Sequence, residues 1–340
     1  MIERDKMNNT DLFGNPVIEK TNLKEEFGIV PFSVLDTKTS DWIQRKQKWL
    51  KLGIKSELGR DDDLMKFNKI YSKGKKRLLK RNTSVFDPVL CELMYNWFVP
   101  KKGNILDPFS GGSVRGIVSN YLGYNYTGIE LREEQVDANI QQGIDILSSK
   151  TPEWICGDSN KVLDKIDRQF DFVFSCPPYY DLEVYCDSPY DLSNMEYNDF
   201  LKIYNSIIKK SCKLLKNNRF VCFVIGDVRN KDRTCNWYRN LIGETKQMFI
   251  NNGLNLYNEF ILLDAIGSSA LRVKQAFIKR KCIKIHQNIL IFYKGDNVND
   301  IRDSFMSLND QLGLATTAIR DDIVEEMAIL GKYTGMSVES

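Results

Sequence analysis

Short apolar runs alternate with amphipathic stretches through the middle of the chain. Each run is too short for a helix and shows no polar alternation, which is typical of a strand buried on both faces of a parallel sheet. The stretches between them place apolar residues at helical spacing. This alternation predicts an α/β fold with a doubly wound, Rossmann-like sheet. Seven strands are predicted to end near residues 106, 129, 156, 175, 224, 263 and 293, with helices over 89–98, 114–122, 133–147 and 201–215.

The first predicted strand runs into a turn of small residues. Asp107-Pro108-Phe109 follow the strand, and residues 110–113 read Ser-Gly-Gly-Ser before the next helix. A strand, a tight turn of small residues and a helix allow backbone amides to approach a bound ligand closely. We call residues 107–113 the cofactor loop, because this geometry predicts a nucleotide-like cofactor there.

Two further acids end neighbouring strands. Glu130 follows the second strand, where a carboxylate can accept hydrogen bonds from two ribose hydroxyls, and Asp158 follows the third as a candidate partner for an adenine amino group. NAD and S-adenosylmethionine fit these features equally well. The Asp-Pro-Phe opening argues against NAD, because a dinucleotide fingerprint needs glycine at positions 107 and 109.

A second motif follows the fourth strand, where residues 176–179 read Cys-Pro-Pro-Tyr. Together with the cofactor loop it resembles the DNA amino-methyltransferases (adenine-N6 or cytosine-N4), whose signature is an Asp-Pro-Phe-x-Gly-x-Gly-like loop and, later, an Asp/Asn/Ser-Pro-Pro-aromatic tetrapeptide. The resemblance covers about residues 84–295, and residues 31–60 look like the leader of phage- and prophage-type members. Ser113 and Cys176 depart from the pattern, which puts the loop geometry and the acceptor for the target amine in question.

The resemblance implies a fold, a cofactor and a set of roles. The fold is a methyltransferase sheet of seven strands with the last one antiparallel, and the cofactor is S-adenosylmethionine, whose methionine end would contact Phe86 and Asp87. The carbonyls of Cys176 and Pro177 would accept from the target amine, and Tyr179 would stack on a base flipped out of double-stranded DNA. The catalytic candidates are Cys176, Pro177, Pro178 and Tyr179, and the cofactor-binding candidates are Phe86, Asp107, Pro108, Phe109, Ser110, Gly111, Gly112, Glu130 and Asp158.

Three alternatives stay open at this point. Methylation of RNA bases shares the fold and much of the loop chemistry. Cys176 could instead act as a nucleophile for methylation of a cytosine ring carbon, which needs a cation or base nearby, and residues 170–194 contain no Lys, Arg or His. A DNA-binding protein with a degenerate, non-catalytic pocket is the third alternative, suggested by the two departures from the pattern.

Charge is distributed unevenly along a nearly neutral chain. The 340 residues carry 48 Lys and Arg against 45 Asp and Glu. Residues 42–82 contain fourteen basic and four acidic residues, residues 272–284 contain six basic residues and no acid, and residues 295–340 contain three basic and nine acidic residues. Two basic segments around a methyltransferase-like core indicate contact with a phosphate backbone. Residues 229–239 and 267–284 are the candidate insertions for DNA recognition.

These patterns suggest three parts: a basic N-terminal extension over 1–82 that contacts DNA, a methyltransferase domain over 83–295, and an acidic tail over 296–340 that packs on the core or forms a homodimer. Within the extension, a helix is predicted from Ser40, with Trp42 and Trp49 on its apolar face.

Eight cysteines without a C-x-x-C pair and a single histidine argue against a zinc site and a disulfide framework, so a reducing cytoplasm is expected. No apolar run is long enough to span a membrane.

Overall fold

The computed structural model describes residue 23 and residues 27–55, 86–147, 151–180, 188–231 and 234–305. The chain divides into two compact units, one of Met1–Val30 with Phe305–Ser340 and one of Pro31–Ser304. In the first unit the described positions are residues 23, 27–30 and 305, and residues 23 and 27 are helical. All elements below belong to the second unit. Most of the basic segment 42–82 and most of the acidic tail over 296–340 lie outside the described residues.

One mixed sheet forms the centre of the unit. Its spatial order is β1-β7-β8-β6-β5-β2-β3-β4, and β8 runs antiparallel to both of its neighbours, while the other paired strands are parallel. The predicted doubly wound sheet with an antiparallel last strand is therefore confirmed. The strands are β1 Val34–Asp36, β2 Asn104–Asp107, β3 Asn125–Glu130, β4 Glu153–Cys156, β5 Phe170–Ser175, β6 Leu215–Ile225, β7 Asn255–Leu263 and β8 His286–Lys294.

The prediction of seven strands was wrong by one. Among the described residues the sheet has eight strands, because β1 adds a short edge strand beside β7, with Val34 opposite Ile261. A strand of three residues is too short to show a periodicity of its own, so it was read as part of the leader. Residues 31–55 thus lie in the same compact unit as the sheet.

Helices cover both faces of the sheet. Alternate residues of β5 point to opposite layers: Phe172 and Phe174 contact Tyr95, while Val173 packs in a cluster with Tyr204 and Phe249. The first layer therefore includes α2 and the second includes α6 and α7. The helices are α1 Ser40–Leu50, α2 Pro88–Phe98, α3 Val114–Tyr121, α4 Glu133–Ile146, α5 Ser159–Val162, α6 Tyr197–Leu214, α7 Leu241–Asn251, α8 Val273–Phe277 and α9 Asn299–Ser304.

Helix α1 is fixed against α2 by its two tryptophans. Both are buried, and their indole Nε1 atoms donate to carboxylates of the next helix, Trp42 to Asp87 at 3.2 Å and Trp49 to Glu92 at 2.8 Å. The side chain of Thr39, rather than Ser40 or Asp41, caps the helix by accepting from the Trp42 N–H. A buried indole N–H needs an acceptor, so these bonds set the orientation of α1.

Candidate active site

A cavity of about 740 Å³ opens at the carboxyl edge of the parallel strands. Ligands bind at this edge in open α/β sheets. The cavity brings together the cofactor loop, the Cys-Pro-Pro-Tyr segment and the ends of β3 and β4. Of the candidate site residues, Phe86, Pro108, Phe109, Ser110, Gly111, Gly112, Glu130, Asp158, Cys176, Pro177, Pro178 and Tyr179 line it, and Asp107 does not.

Asp107 is a fully buried residue that holds the loop from inside. Its Oδ2 accepts from Arg115 Nε at 2.5 Å and from the Tyr126 hydroxyl at 2.7 Å. Its Oδ1 accepts from the Ser175 hydroxyl at 2.5 Å and from the Phe109 N–H at 3.1 Å. The side chain has no exposed surface. The structure therefore places Asp107 as an internal organiser of the loop, which differs from the direct cofactor contact expected for it.

Arg115 is the partner that the sequence reading missed. From the first turn of α3 its NH2 group also donates to the Phe109 and Ser110 carbonyls at 2.7 and 2.9 Å, and its guanidinium lies 4.5 Å from the centre of the Phe86 ring. Burial, the largest single influence, would lower the pKa of Arg115, but the electrostatic interactions with its neighbours, Asp107 first among them, together raise it. The sequence did contain a signal for this ion pair. Arg115 is a basic residue in the first turn of a buried helix, and Asp107 is an acid at the end of the strand before it.

The loop itself leaves one buried hydroxyl for a ligand. The Ser110 N–H donates to the Ile129 carbonyl at 3.0 Å, while Ser110 Oγ is buried without a partner among the described residues. Gly111 has φ +50°, a conformation that favours glycine. A Cβ added to Gly128 would lie 2.7 Å from Ser110 Cβ, so the turn packs directly on β3. An orphaned buried hydroxyl in a cavity wall fits a polar cofactor, because such groups are normally satisfied.

The structure explains why serine rather than the usual glycine stands at position 113. Its Oγ donates to Gln142 Oε1 at 2.9 Å, and Gln142 is also bonded to the Lys55 backbone through the Lys55 N–H and carbonyl. Ser113 has φ −70°, an ordinary helical value that does not require glycine. The serine therefore joins the cofactor loop to α4 and to the end of the leader.

Glu130 and Asp158 remain at the cavity wall. Glu130 Oε1 accepts from the Arg132 N–H at 3.1 Å, and Asp158 Oδ1 caps α5 by accepting from the Asn160 N–H at 2.9 Å. Each carboxylate thus has one oxygen held by a local backbone N–H, which orients the group. Both side chains are mostly but not fully buried, with 13% and 16% exposed.

The Cys-Pro-Pro-Tyr segment is tied to the last two strands. Tyr179 lies with its hydroxyl 3.5 Å from Cys176 Sγ and donates to Gln287 Oε1 at 2.8 Å. Gln287 Nε2 in turn donates to Asp264 Oδ1 at 3.3 Å. Gln287 and Asp264 both line the cavity, and burial raises the pKa of Asp264. Sequence reasoning missed both residues, although an antiparallel last strand brings its start to the same edge where β7 ends.

Ser175 joins the two motifs. Its hydroxyl accepts from the Phe109 N–H at 3.2 Å while donating to Asp107, so the last residue of β5 contacts the cofactor loop on the neighbouring strand. Arg115 interacts electrostatically with Cys176 across the same boundary. Arg115 and Cys176 line the same cavity, so a cation that acts on Cys176 comes from a residue outside segment 170–194.

Two insertions form an aromatic and basic surface, here called the edge surface, made of residues 229–231, 234–239 and 267–284. Lys281 Nζ joins them by donating to Asn236 Oδ1 at 2.6 Å. Trp237 is 66% exposed, and the Arg229 guanidinium stacks 3.9 Å from the centre of the Tyr238 ring. The nominated insertions are thus brought side by side. Residues 181–187, which follow the Cys-Pro-Pro-Tyr segment, lie outside the described residues.

The leader also reaches the cavity. Thr37, Lys38, Ile43 and Lys46 line it. Ile43 follows the buried Trp42 on α1 and is itself 44% exposed. No sequence signal pointed to these positions as part of a ligand site, because the leader had been read as a separate arm.

Within the described residues, no group of three or more His, Cys, Asp or Glu side chains could hold a metal ion. None of the described helices is long and apolar enough to cross a bilayer.

Comparison with known proteins gives similarities of fold. TrmN from Thermus thermophilus is 12% identical with a TM-score of 0.41, over 61% of this chain and 49% of its own, so this chain matches about half of TrmN. Magnesium protoporphyrin IX methyltransferase from Synechocystis, solved with bound S-adenosylmethionine, is 12% identical with a TM-score of 0.39, over 66% of this chain and 88% of its own. A TehB-like SAM-dependent methyltransferase from Corynebacterium glutamicum is 16% identical with a TM-score of 0.37, over 61% and 86%.

No protein-family model matches the sequence, and neither does any curated protein. Identities this low say nothing about which molecule this chain acts on.

Proposed function

We propose that this protein transfers a methyl group from S-adenosylmethionine to the exocyclic amino group of adenine or cytosine in double-stranded DNA. The observation that carries the proposal is the single cavity lined both by the cofactor loop and by residues 176–179. A methyl transfer needs donor and acceptor at near-attack distance, so one cavity has to hold both.

Each part of the cavity has a distinct task in this proposal. Glu130 accepts from the ribose hydroxyls, Asp158 from the adenine amino group, and the loop from Pro108 to Gly112 supplies backbone contacts. Bound S-adenosylmethionine would supply an electrophilic methyl group. The amine nitrogen would accept this methyl group, the sulfur would leave as a neutral thioether, and the proton lost by the amine would pass to water. The chain's own contribution is to position the two reactants and to polarise the amine.

The Cys-Pro-Pro-Tyr segment orients the target amine. Two successive prolines provide no competing N–H donors, so the carbonyls of Cys176 and Pro177 can accept from the amine hydrogens. Tyr179 is held by Gln287 through its hydroxyl, which fixes the ring for stacking on a flipped base.

The edge surface supports a nucleic acid as the substrate. Its exposed Trp237 and the stacked Arg229–Tyr238 pair combine aromatic faces with cations, as single-stranded or flipped bases and phosphates require. The net positive segment 272–284 lies in the same surface. Asp264 and Ala265 line the cavity a few residues before this surface begins.

The test is nucleoside analysis of a host that expresses the protein. DNA and RNA are digested separately and measured by mass spectrometry, with Tyr179→Ala as the inactive control. N6-methyladenine or N4-methylcytosine in the DNA above the control supports the proposal. A modified base found in RNA alone would point to an RNA methyltransferase, and 5-methylcytosine in the DNA would point to methylation of the ring carbon. If the protein binds DNA but neither nucleic acid gains a modified base, the result points to a non-catalytic DNA-binding protein.

A further inference from the structure

An ion pair from the leader lies in the wall of the cavity. Lys46 Nζ is 2.9 Å from Asp87 Oδ2, and both residues line the cavity. The Asp87 side chain is 11% exposed and that of Lys46 is 38% exposed. A cation of α1 and an anion at the start of α2 are therefore both presented to a bound ligand.

The pair is held in place by contacts on each side. Asp87 Oδ1 caps α2 by accepting from the Val89 N–H at 2.9 Å, and Oδ2 accepts from the Trp42 indole as well as from Lys46. On the next turn of the same interface, Arg45 pairs with Glu92 at 2.5 Å. Fixed partners reduce the cost of ordering a charged side chain on ligand binding.

The fold does not depend on the ammonium group. Asp87 already satisfies the helix cap through Oδ1 and the tryptophan through Oδ2, so Lys46 adds a third, half-exposed donor to an acceptor that is already used. A surface ion pair of this kind adds little stability. Asp264 is a third charged residue of the same cavity wall, and its carboxylate interacts electrostatically with both Asp87 and Lys46.

A cavity wall that carries one ammonium and two carboxylates complements a zwitterion. The α-carboxylate of an amino acid needs a cationic donor, and its α-ammonium needs an anionic acceptor, at short separation. We propose that Lys46 binds the α-carboxylate of the cofactor's methionine moiety, and that Asp87 positions the Lys46 ammonium group. Helix α1 would then make the site selective for ligands that carry this carboxylate. This inference rests on the proposed cofactor.

The test compares two ligands that differ in one group. Binding of S-adenosylmethionine and of its decarboxylated analogue is measured by calorimetry on the full chain. Wild type is expected to bind the carboxylate-bearing ligand roughly ten- to hundredfold more tightly, the range for a charge-assisted hydrogen bond. Lys46→Met is expected to bind the two ligands equally, and Lys46→Arg to keep most of the preference.

Lys48→Met is the matched control, since it removes the same side chain from the exposed face of the same helix and leaves the cavity intact. It is expected to keep the wild-type preference. A Lys46→Met variant that binds S-adenosylmethionine and still prefers it by the wild-type ratio overturns the inference and leaves the proposed function standing. Wild type that binds neither ligand overturns the proposed function as well. If Lys46→Met does not fold, Lys46→Gln provides the same contrast.

Discussion

Asp107 and Glu130 look alike in the sequence and differ in the structure. Both end parallel strands that pair with each other, and both were candidate cofactor ligands. Asp107 is fully buried with four internal donors, whereas Glu130 lies at the cavity wall with one oxygen held by a backbone N–H. A motif acid can therefore build the loop without lining the cavity, while a less distinctive acid on the next strand lines it.

The largest expected effect comes from Asp107→Ala. It leaves the Arg115 guanidinium buried without its carboxylate, and breaking a buried pair in this way costs about 3–5 kcal/mol of unfolding free energy. Urea denaturation followed by circular dichroism measures this loss. If Asp107→Ala unfolds at the wild-type midpoint but fails to bind cofactor, Asp107 is a ligand and the distinction from Glu130 collapses.

Glu130→Ala is expected to act on binding instead. Loss of a charged acceptor for the ribose hydroxyls should weaken S-adenosylmethionine binding by about 2–3 kcal/mol. The unfolding free energy should fall by less than for Asp107→Ala, about 1–2 kcal/mol, since the losses include a backbone hydrogen bond and the 3.5 Å ion pair with Arg132. Calorimetry and urea denaturation on the same variant separate the two effects, and unchanged affinity would refute the assignment of Glu130.

Asp171, near the start of β5, is another buried acid, and it lies at the edge of the sheet opposite the cavity. The stability that it contributes is expected to depend on pH. Burial would raise its pKa, but the Asn104 N–H, Lys216 and Arg219 donate to the carboxylate and lower the pKa overall. Because the pKa of Asp171 is lower in the folded than in the unfolded protein, the ionised carboxylate stabilises the fold at pH values above its unfolded-state pKa. This stabilisation is lost as the pH falls through the folded-state pKa.

Asp171→Asn should therefore cost about 1–3 kcal/mol at pH 7. The difference from wild type should shrink as the medium is acidified below the ordinary pKa of aspartate, about 3.9. Thermal unfolding of both proteins between pH 7 and pH 3 measures this. A deficit that stays constant over that range would show that the carboxylate charge makes no contribution.

The smallest effect is expected for Cys176→Ser. The backbone carbonyls of Cys176 and Pro177 carry the acceptor role in the proposed function, so serine should retain most methyl transfer, while Tyr179→Ala loses far more through lost stacking. The assay uses tritiated methyl transfer to duplex DNA, with a second duplex that contains 5-fluorocytosine. An inactive serine variant together with a covalent adduct of the wild type would establish Cys176 as a nucleophile, with Arg115 as its nearby cation.

Residues near in sequence were predicted well, and residues joined across strands were not. The end of β5 was predicted near residue 175 and lies at Ser175, and the helix predicted over 89–98 is α2, which begins at Pro88 after the Asp87 cap. The apolar run and the capping residue are local signals. Arg115, Gln287 and Asp264 carry no such signal, since their importance depends on which strands lie side by side.

Strand ends predicted which positions meet at the cavity but not where each side chain points. Asp107 and Glu130 occupy equivalent strand ends, and only the packing of Arg115 and Tyr126 around Asp107 separates them. In the same way, β1 became visible only through its partner β7, because three residues have no pattern of their own.

Because β1 pairs with β7, the part of the cavity wall that follows β1 can form only late in synthesis of the chain. The Thr37 hydroxyl donates to the Leu263 carbonyl at 2.6 Å across 226 positions of the chain. Closing so long a loop is slow, and the partner strand must have left the ribosome first. Residues 37–46 are translated more than 200 positions before residue 263, yet the wall they contribute can be completed only after residue 263 has emerged. A nascent chain that has all of its cofactor-loop residues therefore still lacks one side of the pocket.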